Sequence, residues 1–298
     1  MAYSINLIED NMRGHSMLNK ILVITLTISA LFVSSGYSFT DYKEANAEYS
    51  TKNIGLESTW KYAEYSKIND GKAVLYSPKD NKKGVTIAIN AGHGTKGGER
   101  IKTLCHPDGS PKTTGGSTAK GASEATAVSA GMTFADGTSE AYISLEIAKY
   151  VRNLLIERGY NVLMLRDSED VQLDNIARTV ISNNVADCMI SFHWDGDSLN
   201  YDKGIFYIKV PEQLREMEPV CDYWQKHDAL GETIVDSLDD DGFKKYKDGY
   251  MSIDLTQTSY SEIPSVDIEL GNQCSVHDDI VLRRMAESIV EGIEEFFK

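Results

Sequence analysis

Four side chains capable of acid–base or metal-binding chemistry stand at the ends of predicted elements. His93 follows an apolar run in the string Asn-Ala-Gly-His-Gly, and His193 directly follows the apolar run that ends at Phe192. Glu140 opens a helical pattern, and Glu269 lies within an apolar strand pattern. Ligands of open α/β sheets bind beyond the carboxyl ends of the strands, so these positions favour one shared site.

This set of residue types suits metal-assisted hydrolysis. Two histidines and one carboxylate form the ligand set of a catalytic zinc site that leaves one position for water. A further carboxylate is then needed to take a proton from that water and hand it to the leaving group. His93, Glu140 and His193 can supply the ligands and Glu269 the base. The chain has no HExxH motif, and spacing alone does not establish the site.

Each of the four residues also has a purely structural interpretation. His93 would be a histidine in a glycine turn, and His193 a hydrogen-bonded histidine at a strand end. Glu140 would interact with its helix dipole, although its place on the apolar stripe then requires a polar partner. Glu269 would face solvent on an edge strand, although an acid buried in such a strand is costly unless it is paired or functional.

The hydrophobic pattern predicts the elements that position these residues. Strands alternate with amphipathic helices, which indicates an α/β domain with a largely parallel sheet. Residues 94–139 are rich in Gly, Ser, Thr and Ala and are expected to form a long functional loop. The predicted strands lie at 85–89, 161–165, 188–192, 205–210 and 266–270, and the helices at 143–155, 173–181, 212–238 and 282–296, with 248–260 ambiguous.

The N-terminal region has the pattern of an export signal. Residues 21–35 are apolar and uncharged, and Arg13 and Lys20 precede them. The run is short for a membrane-spanning helix, which needs about 20 residues. A small-x-small cleavage site occurs at Ala45-Asn46-Ala47. The expected organisation is a signal peptide or membrane anchor at 1–47, a polar spacer at 48–83 and a catalytic domain at 84–298 of a secreted or cell-envelope protein.

Composition excludes several classes of protein. The 298 residues are 41% hydrophobic and carry a net charge of −15, as expected for an acidic globular chain. Such a chain has no basic surface for nucleic acid, so no nucleic-acid partner is expected. Membrane attachment would therefore rest on the apolar run at 21–35. The four cysteines have no CxxC spacing, so a thiolate zinc site is not supported.

Five strings of the sequence, in order, resemble the zinc-dependent N-acetylmuramoyl-L-alanine amidases of the peptidoglycan amidase type 3 family. The resemblance covers about residues 84–298. The strings are AINAGHG at 88–94, SE at 139–140 ahead of LEIA at 145–148, RGYNVLMLR at 158–166, ADCMISFH at 186–193 and PSVDIELG at 264–271. The chain departs from the family pattern at Ser144, where Asn is usual, and at Asp267, where an apolar residue is usual.

The resemblance implies a fold, a cofactor and an activity. The fold is a single α/β domain with a twisted, mostly parallel sheet and helices on both faces. One zinc ion per chain is held by His93, Glu140 and His193, and Glu269 is the catalytic carboxylate. The reaction is cleavage of the amide between the lactyl group of N-acetylmuramic acid and the L-alanine of the stem peptide, with peptidoglycan as substrate.

Further residues are expected to bind substrate. Arg166 and Arg178 can bind a stem-peptide carboxylate, for which a planar guanidinium is suited, and a structural ion pair with a nearby aspartate is the alternative. Trp194 and Asp195, next to a predicted ligand, are expected to line the groove, although a tryptophan there is also a good packing residue. The loop at 94–139 is expected to gate the groove.

Three other functions remain open from the sequence. Another secreted zinc peptidase of carboxypeptidase type would need a fixed arginine, and Arg166 or Arg178 would serve. A catalytically silent wall-binding module is disfavoured because all four site residues are present. The third alternative is a secreted α/β domain of unrelated role. No wall-binding repeat follows the predicted domain, so an activator or targeting protein is an expected partner.

Overall fold

The computed structural model describes residues 47–80 and 83–298. The predicted apolar run at 21–35 and the first two residues of the predicted cleavage motif, 45 and 46, lie outside the described residues. Among the helices that are described, none combines the length and apolar character needed to span a membrane.

An eight-stranded sheet forms the centre of the described chain. The strands of the described chain are β1 Tyr49–Ile54, β2 Ala73–Pro78, β3 Thr86–Ala91, β4 Lys102–Leu104, β5 Glu124–Thr126, β6 Asn161–Met164, β7 Cys188–Asp195, β8 Ile205–Lys209, β9 Lys245–Ser252 and β10 Ser265–Asn272. The large sheet has the strand order β1-β2-β6-β3-β7-β10-β8-β9, and β4 and β5 form a separate two-stranded sheet. The four central strands β6, β3, β7 and β10 run parallel, which confirms the expected mostly parallel sheet.

Helices cover both faces of this sheet, as expected. Along β3, Ile87 and Ile89 face a core shared with three helices, whereas Ala88 faces a second core on the other side. This alternation follows from the two-residue period of a strand. The helices are α1 Glu140–Glu157, α2 Asn175–Val185, α3 Val220–Asp240, α4 Thr256–Ser259 and α5 Asp279–Phe296. Helices α1, α3 and α5 pack on the first face and α2 on the second.

The ends of the long helices follow from capping residues. Ser139 caps α1 by accepting a hydrogen bond from the Tyr142 backbone N–H, and Gly159 follows the helix with a φ of +87°. The helix predicted over 212–238 begins only at Val220. Pro219 directly precedes it, and a proline interrupts a helix unless it stands in the first turn.

Residues 48–83 are not a spacer, because two of the eight strands lie within them. Strand β1 pairs with β2, and β2 pairs with β6 of the central sheet, so the α/β domain begins before residue 84. The polar composition of β1 concealed it, because residues 50–53 of this edge strand are exposed to solvent. Polar and charged side chains are common on edge strands because they discourage pairing with other chains.

Candidate functional site

The three parallel strands β3, β7 and β10 bring the predicted site residues together at one edge of the sheet. His93 lies two residues after β3, and His193 lies near the end of β7. Glu269 lies on β10 directly beside His193 in the strand register. Glu140 is the first residue of α1, which packs on β3 and β7.

Three donor atoms of these residues converge on one point. His93 Nε2 lies 2.7 Å from Glu140 Oε1, and His193 Nδ1 lies 3.1 Å from both of those atoms. All three side chains are largely buried, with 8%, 3% and 17% exposure for His93, Glu140 and His193. Tetrahedral ligands at the usual zinc distance lie about 3.3 Å apart, so a set of two nitrogens and one oxygen at this spacing fits one zinc ion.

Two glycines beside the cluster, Gly92 and Gly131, leave no space for a larger residue at their positions. A Cβ at Gly92 would lie 2.4 Å from the His193 ring, and one at Gly131 would lie 2.8 Å from the His93 ring. His93 itself has a φ of +66°, which is rare for a non-glycine residue. The His93 Nδ1–H donates to the Ser129 carbonyl oxygen at 2.9 Å, so the proton sits on Nδ1 and Nε2 is free to bind a metal.

The charges in the cluster favour an ionised Glu140. Burial opposes its ionisation, but the nearby imidazoles of His93 and His193 outweigh burial and hold the pKa of Glu140 well below its usual range. The Met132 backbone N–H also donates to Glu140 Oε2 at 2.7 Å. For Glu269 the balance is reversed, since burial raises its pKa well above 4.5. The pKa values of the two carboxylates in this site are therefore shifted in opposite directions, a pattern typical of acid–base sites.

Neither Arg166 nor Arg178, which the sequence suggests as substrate-binding residues, lines the groove around the three donor atoms. Both are buried, at 1% and 0% exposure. Arg178 donates to the His93 carbonyl oxygen at 2.7 Å, and Arg166 donates to the Gly92 carbonyl oxygen at 2.8 Å. Their guanidinium groups are thus engaged by the backbone that carries His93. These contacts indicate that both arginines hold this loop in place.

The role of Arg178 in this loop gives a stability prediction. Arg178→Met is expected to lower the free energy of unfolding by about 3–5 kcal/mol, because it leaves several buried carbonyl oxygens without donors. The control is Arg284→Met, which removes an exposed arginine paired with Asp241 and should cost less than about 1 kcal/mol. Urea unfolding measures both. Equal effects of the two variants would contradict this role.

Trp194 and Asp195 both border the groove, and each also has a partner within the protein. Trp194 is 2% exposed, and its ring packs edge-on against Phe134 with centroids 5.8 Å apart. Its backbone N–H donates to Glu140 Oε1 at 3.1 Å. Asp195 forms an ion pair with Lys203. These contacts give both residues a structural role, and substrate binding by them stays a prediction.

A groove of about 840 Å³ contains the cluster. One part of its lining comes from the long segment 94–139, including Lys112 and residues 115–118. Another part comes from residues 251–257, which span the end of β9, the turn after it and the start of α4. The expected position of the 94–139 segment beside the site is therefore observed, and gating by it stays a prediction.

Sequence reasoning missed a buried cluster that joins these two walls. Asp254 Oδ1 accepts from His106 Nε2 at 2.9 Å and from Lys112 Nζ at 3.1 Å. Asp254 Oδ2 accepts from the Thr113 backbone N–H at 2.7 Å. About 140 residues separate the partners, so no local pattern reveals this contact. The cluster fixes the shape of the groove.

The contacts of Asp254 with His106 and Lys112 predict a pH-dependent loss of stability. Burial raises the pKa of Asp254, but hydrogen bonds from His106 and the charge of Lys112 outweigh it and lower the pKa to about 2. A lowered carboxylate pKa stabilises the fold above the unfolded value near 4 and loses that effect as the pH falls towards 2. The difference amounts to about 2 kcal/mol.

Asp254→Asn is therefore expected to destabilise the protein strongly at pH 7, by about 3–5 kcal/mol, because it leaves the buried Lys112 ammonium without its counter-charge. The deficit relative to wild type should shrink by about 2 kcal/mol between pH 5 and pH 2. Asp236→Asn, which changes an exposed aspartate paired with Lys245, is the control and should show neither effect. Urea unfolding across this pH range is the measurement. A deficit independent of pH would contradict the prediction.

Comparison with known proteins gives a family match over most of the chain. Residues 87–295 match the family model described as N-acetylmuramoyl-L-alanine amidase. The search of curated proteins returns no match.

Several solved amidase structures are similar to this chain at low sequence identity. The amidase Ami1 from Mycobacterium smegmatis has a TM-score of 0.60 at 18% identity, over 73% of this chain and 98% of that one. Ami1 from Mycobacterium abscessus has a TM-score of 0.57 at 20% identity, over 72% and 99%. The CwlD amidase from Clostridioides difficile, in complex with the GerS lipoprotein, has a TM-score of 0.50 at 20% identity, over 72% and 98%. At these identities the likeness concerns the fold.

Proposed function

The chain belongs to the N-acetylmuramoyl-L-alanine amidase family, and from this premise we propose that His93, Glu140 and His193 form its catalytic zinc site. The enzyme is a peptidoglycan hydrolase that cleaves the amide between the lactyl group of N-acetylmuramic acid and the L-alanine of the stem peptide. The convergence of three donor atoms within hydrogen-bonding distance of one another, with Glu269 on the adjacent strand, carries the proposal.

The donor set supports a zinc ion, one per chain. Imidazole nitrogens and a carboxylate oxygen are the usual ligands of catalytic zinc. His93 presents Nε2 because Ser129 holds its other ring nitrogen, and Glu140 presents Oε1 while Met132 binds its other oxygen. When bound, zinc polarises the scissile carbonyl and makes the attacking water more acidic.

We assign the proton transfers to Glu269. Its Oε2 is buried and has no hydrogen-bond partner among the described residues, so it is free to accept a proton. The Glu269 carboxylate takes a proton from the attacking water as the water oxygen bonds to the carbonyl carbon. The same group then donates this proton to the alanine nitrogen as the carbon–nitrogen bond breaks. The products are a lactyl carboxylate and a stem peptide with a free amino terminus.

The structure offers less support for a carboxypeptidase. That activity needs a fixed arginine at the end of the groove to bind a terminal carboxylate. Arg166 and Arg178, the two residues expected to supply it, are buried against backbone carbonyl oxygens. A silent wall-binding module would have no need for Glu269 beside a complete ligand set.

The location and partners of the protein form a further part of the proposal. Peptidoglycan lies outside the cytoplasmic membrane, so we propose export or envelope anchoring through residues 1–47. An accessory protein is a second proposal. It is supported by the similarity in fold to the CwlD amidase, which was solved in complex with the GerS lipoprotein. Pull-down of the chain from an envelope fraction, compared with a Glu269→Gln variant, would test for a partner other than substrate.

The function is tested by metal analysis and product analysis of the full-length chain. We expect one zinc per chain and release of stem peptides that begin with free L-alanine. Release of only a C-terminal amino acid would indicate the carboxypeptidase. Zinc without cleavage, even when envelope proteins are added, would indicate the binding module. A chain that takes up no zinc would contradict the proposed site.

A further inference from the structure

We propose that Asp267 is a positioning residue that holds the His193 imidazole from the side opposite His93 and Glu140 and thereby strengthens metal binding. The inference rests on the proposed zinc site. His193 directs Nδ1 towards His93 and Glu140, so its other ring nitrogen, Nε2, faces away from the cluster. Asp267 Oδ2 lies 3.8 Å from that Nε2.

The pairing of two parallel strands explains this placement. In the register of β10 on β7, Glu269 lies beside His193 and Asp267 lies beside Ser191. Residues two apart on a strand share a face, so Asp267 and Glu269 both lie on the face that carries His193. Strand β10 thus presents two carboxylates to the site, and the distance to Nε2 assigns Asp267 to the outer side of the ring.

The fold accounts for the burial of Asp267 only in part, through a side-chain hydrogen bond with Ser191. It is 4% exposed, and its Oδ1 has no hydrogen-bond partner among the residues that the structure describes. A buried carboxylate oxygen without a partner destabilises a fold, and a leucine of similar size would be cheaper to bury. Local destabilisation of this kind is typical of functional positions, where the residue serves a site rather than the core.

The outer partners of the two histidine ligands are then different. The outer nitrogen of His93 donates to a neutral carbonyl oxygen of Ser129 at 2.9 Å. The outer nitrogen of His193 faces a carboxylate. A movement of about 1 Å brings Asp267 and His193 into hydrogen-bonding range. A carboxylate in this position fixes the tautomer that leaves Nδ1 unprotonated and makes the imidazole a stronger ligand.

The proposal predicts effects of opposite sign on metal binding and on stability. Loss of such an outer partner typically weakens metal binding by about 10- to 100-fold. Leucine also removes the buried oxygen that lacks a partner, so the metal-free Asp267→Leu protein should be as stable as wild type or more stable. A residue that merely supported the fold would instead lower stability when it is replaced.

The test compares Asp267→Asn and Asp267→Leu with the control Asp195→Asn in the full-length chain. Asp195 is also an acidic groove residue near the cluster, but its carboxylate is paired with Lys203. Zinc dissociation constants are measured by competition with a chelator, and denaturation midpoints are measured on metal-free protein. We expect at least tenfold weaker zinc binding in both Asp267 variants, no lower midpoint in at least one of them, and less than threefold weaker binding in the control.

Three results would overturn the inference. These are zinc binding weakened less than tenfold in both Asp267 variants, midpoints that fall in both together with affinity, and a control that loses as much affinity as they do. Failure of the wild-type chain to bind zinc would instead refute the proposed function itself. The two failures are therefore distinguishable.

Discussion

Glu269→Gln should slow amide hydrolysis by about 10²- to 10⁴-fold while the protein keeps its zinc. Glutamine has nearly the shape of glutamate but cannot take a proton from water and return it to the alanine nitrogen. The metal should stay, because the three converging donor atoms belong to His93, Glu140 and His193. Turnover on purified muropeptides and zinc content per chain measure the two effects separately.

An exposed glutamate on α5 provides the matched control for this variant. Glu291→Gln makes the same chemical change at an exposed position that does not line the groove, and should leave turnover and zinc content unchanged. A Glu269→Gln variant that keeps more than a tenth of wild-type turnover would show that another group moves the proton. Loss of zinc from the same variant would instead make Glu269 a ligand.

The convergence of the four site residues could be predicted because it follows from topology. His93, His193 and Glu269 stand at or near the carboxyl ends of β3, β7 and β10, and these strands are adjacent and parallel. Residues at such strand ends meet at one edge of the sheet, however far apart they lie in the chain. Glu140 could be included because a carboxylate on the apolar stripe of a helix needs a partner.

The roles of the arginines could not be predicted, because they depend on where the ends of long side chains lie. Arg166 follows a strand and Arg178 lies on a helix, and both positions are compatible with a substrate-binding groove. In the structure both side chains turn towards the carbonyl oxygens of residues 91–93. Gly92 and His93 follow the end of β3, so their carbonyl oxygens need other donors, and sequence periodicity carries no information about such a need.

The polar segments of the chain were also poorly predicted. Strand β1 escaped detection because an edge strand with an exposed face lacks an apolar pattern. Asp254 lies in a region that the sequence left ambiguous, and its partners are on the distant segment 106–113. Both features are created by tertiary contacts, whereas the central strands are apolar on both faces and are therefore visible in the sequence.

Removal of a ligand should have a different result from removal of the base, and His193→Ala tests this difference. The variant is expected to lose zinc and with it nearly all turnover. The loss of affinity should exceed the roughly 10- to 100-fold effect of an outer partner. Two donors would remain, and His93 Nε2 and Glu140 Oε1 are close enough, at 2.7 Å, to bind each other instead of a metal.

The control for His193→Ala is His277→Ala, which removes a histidine that stacks on Phe134 and pairs with Asp136 outside the ligand set. It should retain one zinc per chain. If His193→Ala also retained one tightly bound zinc, the ion would be held elsewhere and the site would be refuted. If it lost zinc while Glu269→Gln kept it, ligand and base would be assigned independently, because neither a general loss of folding nor a single shared role for the two residues produces that pair of results.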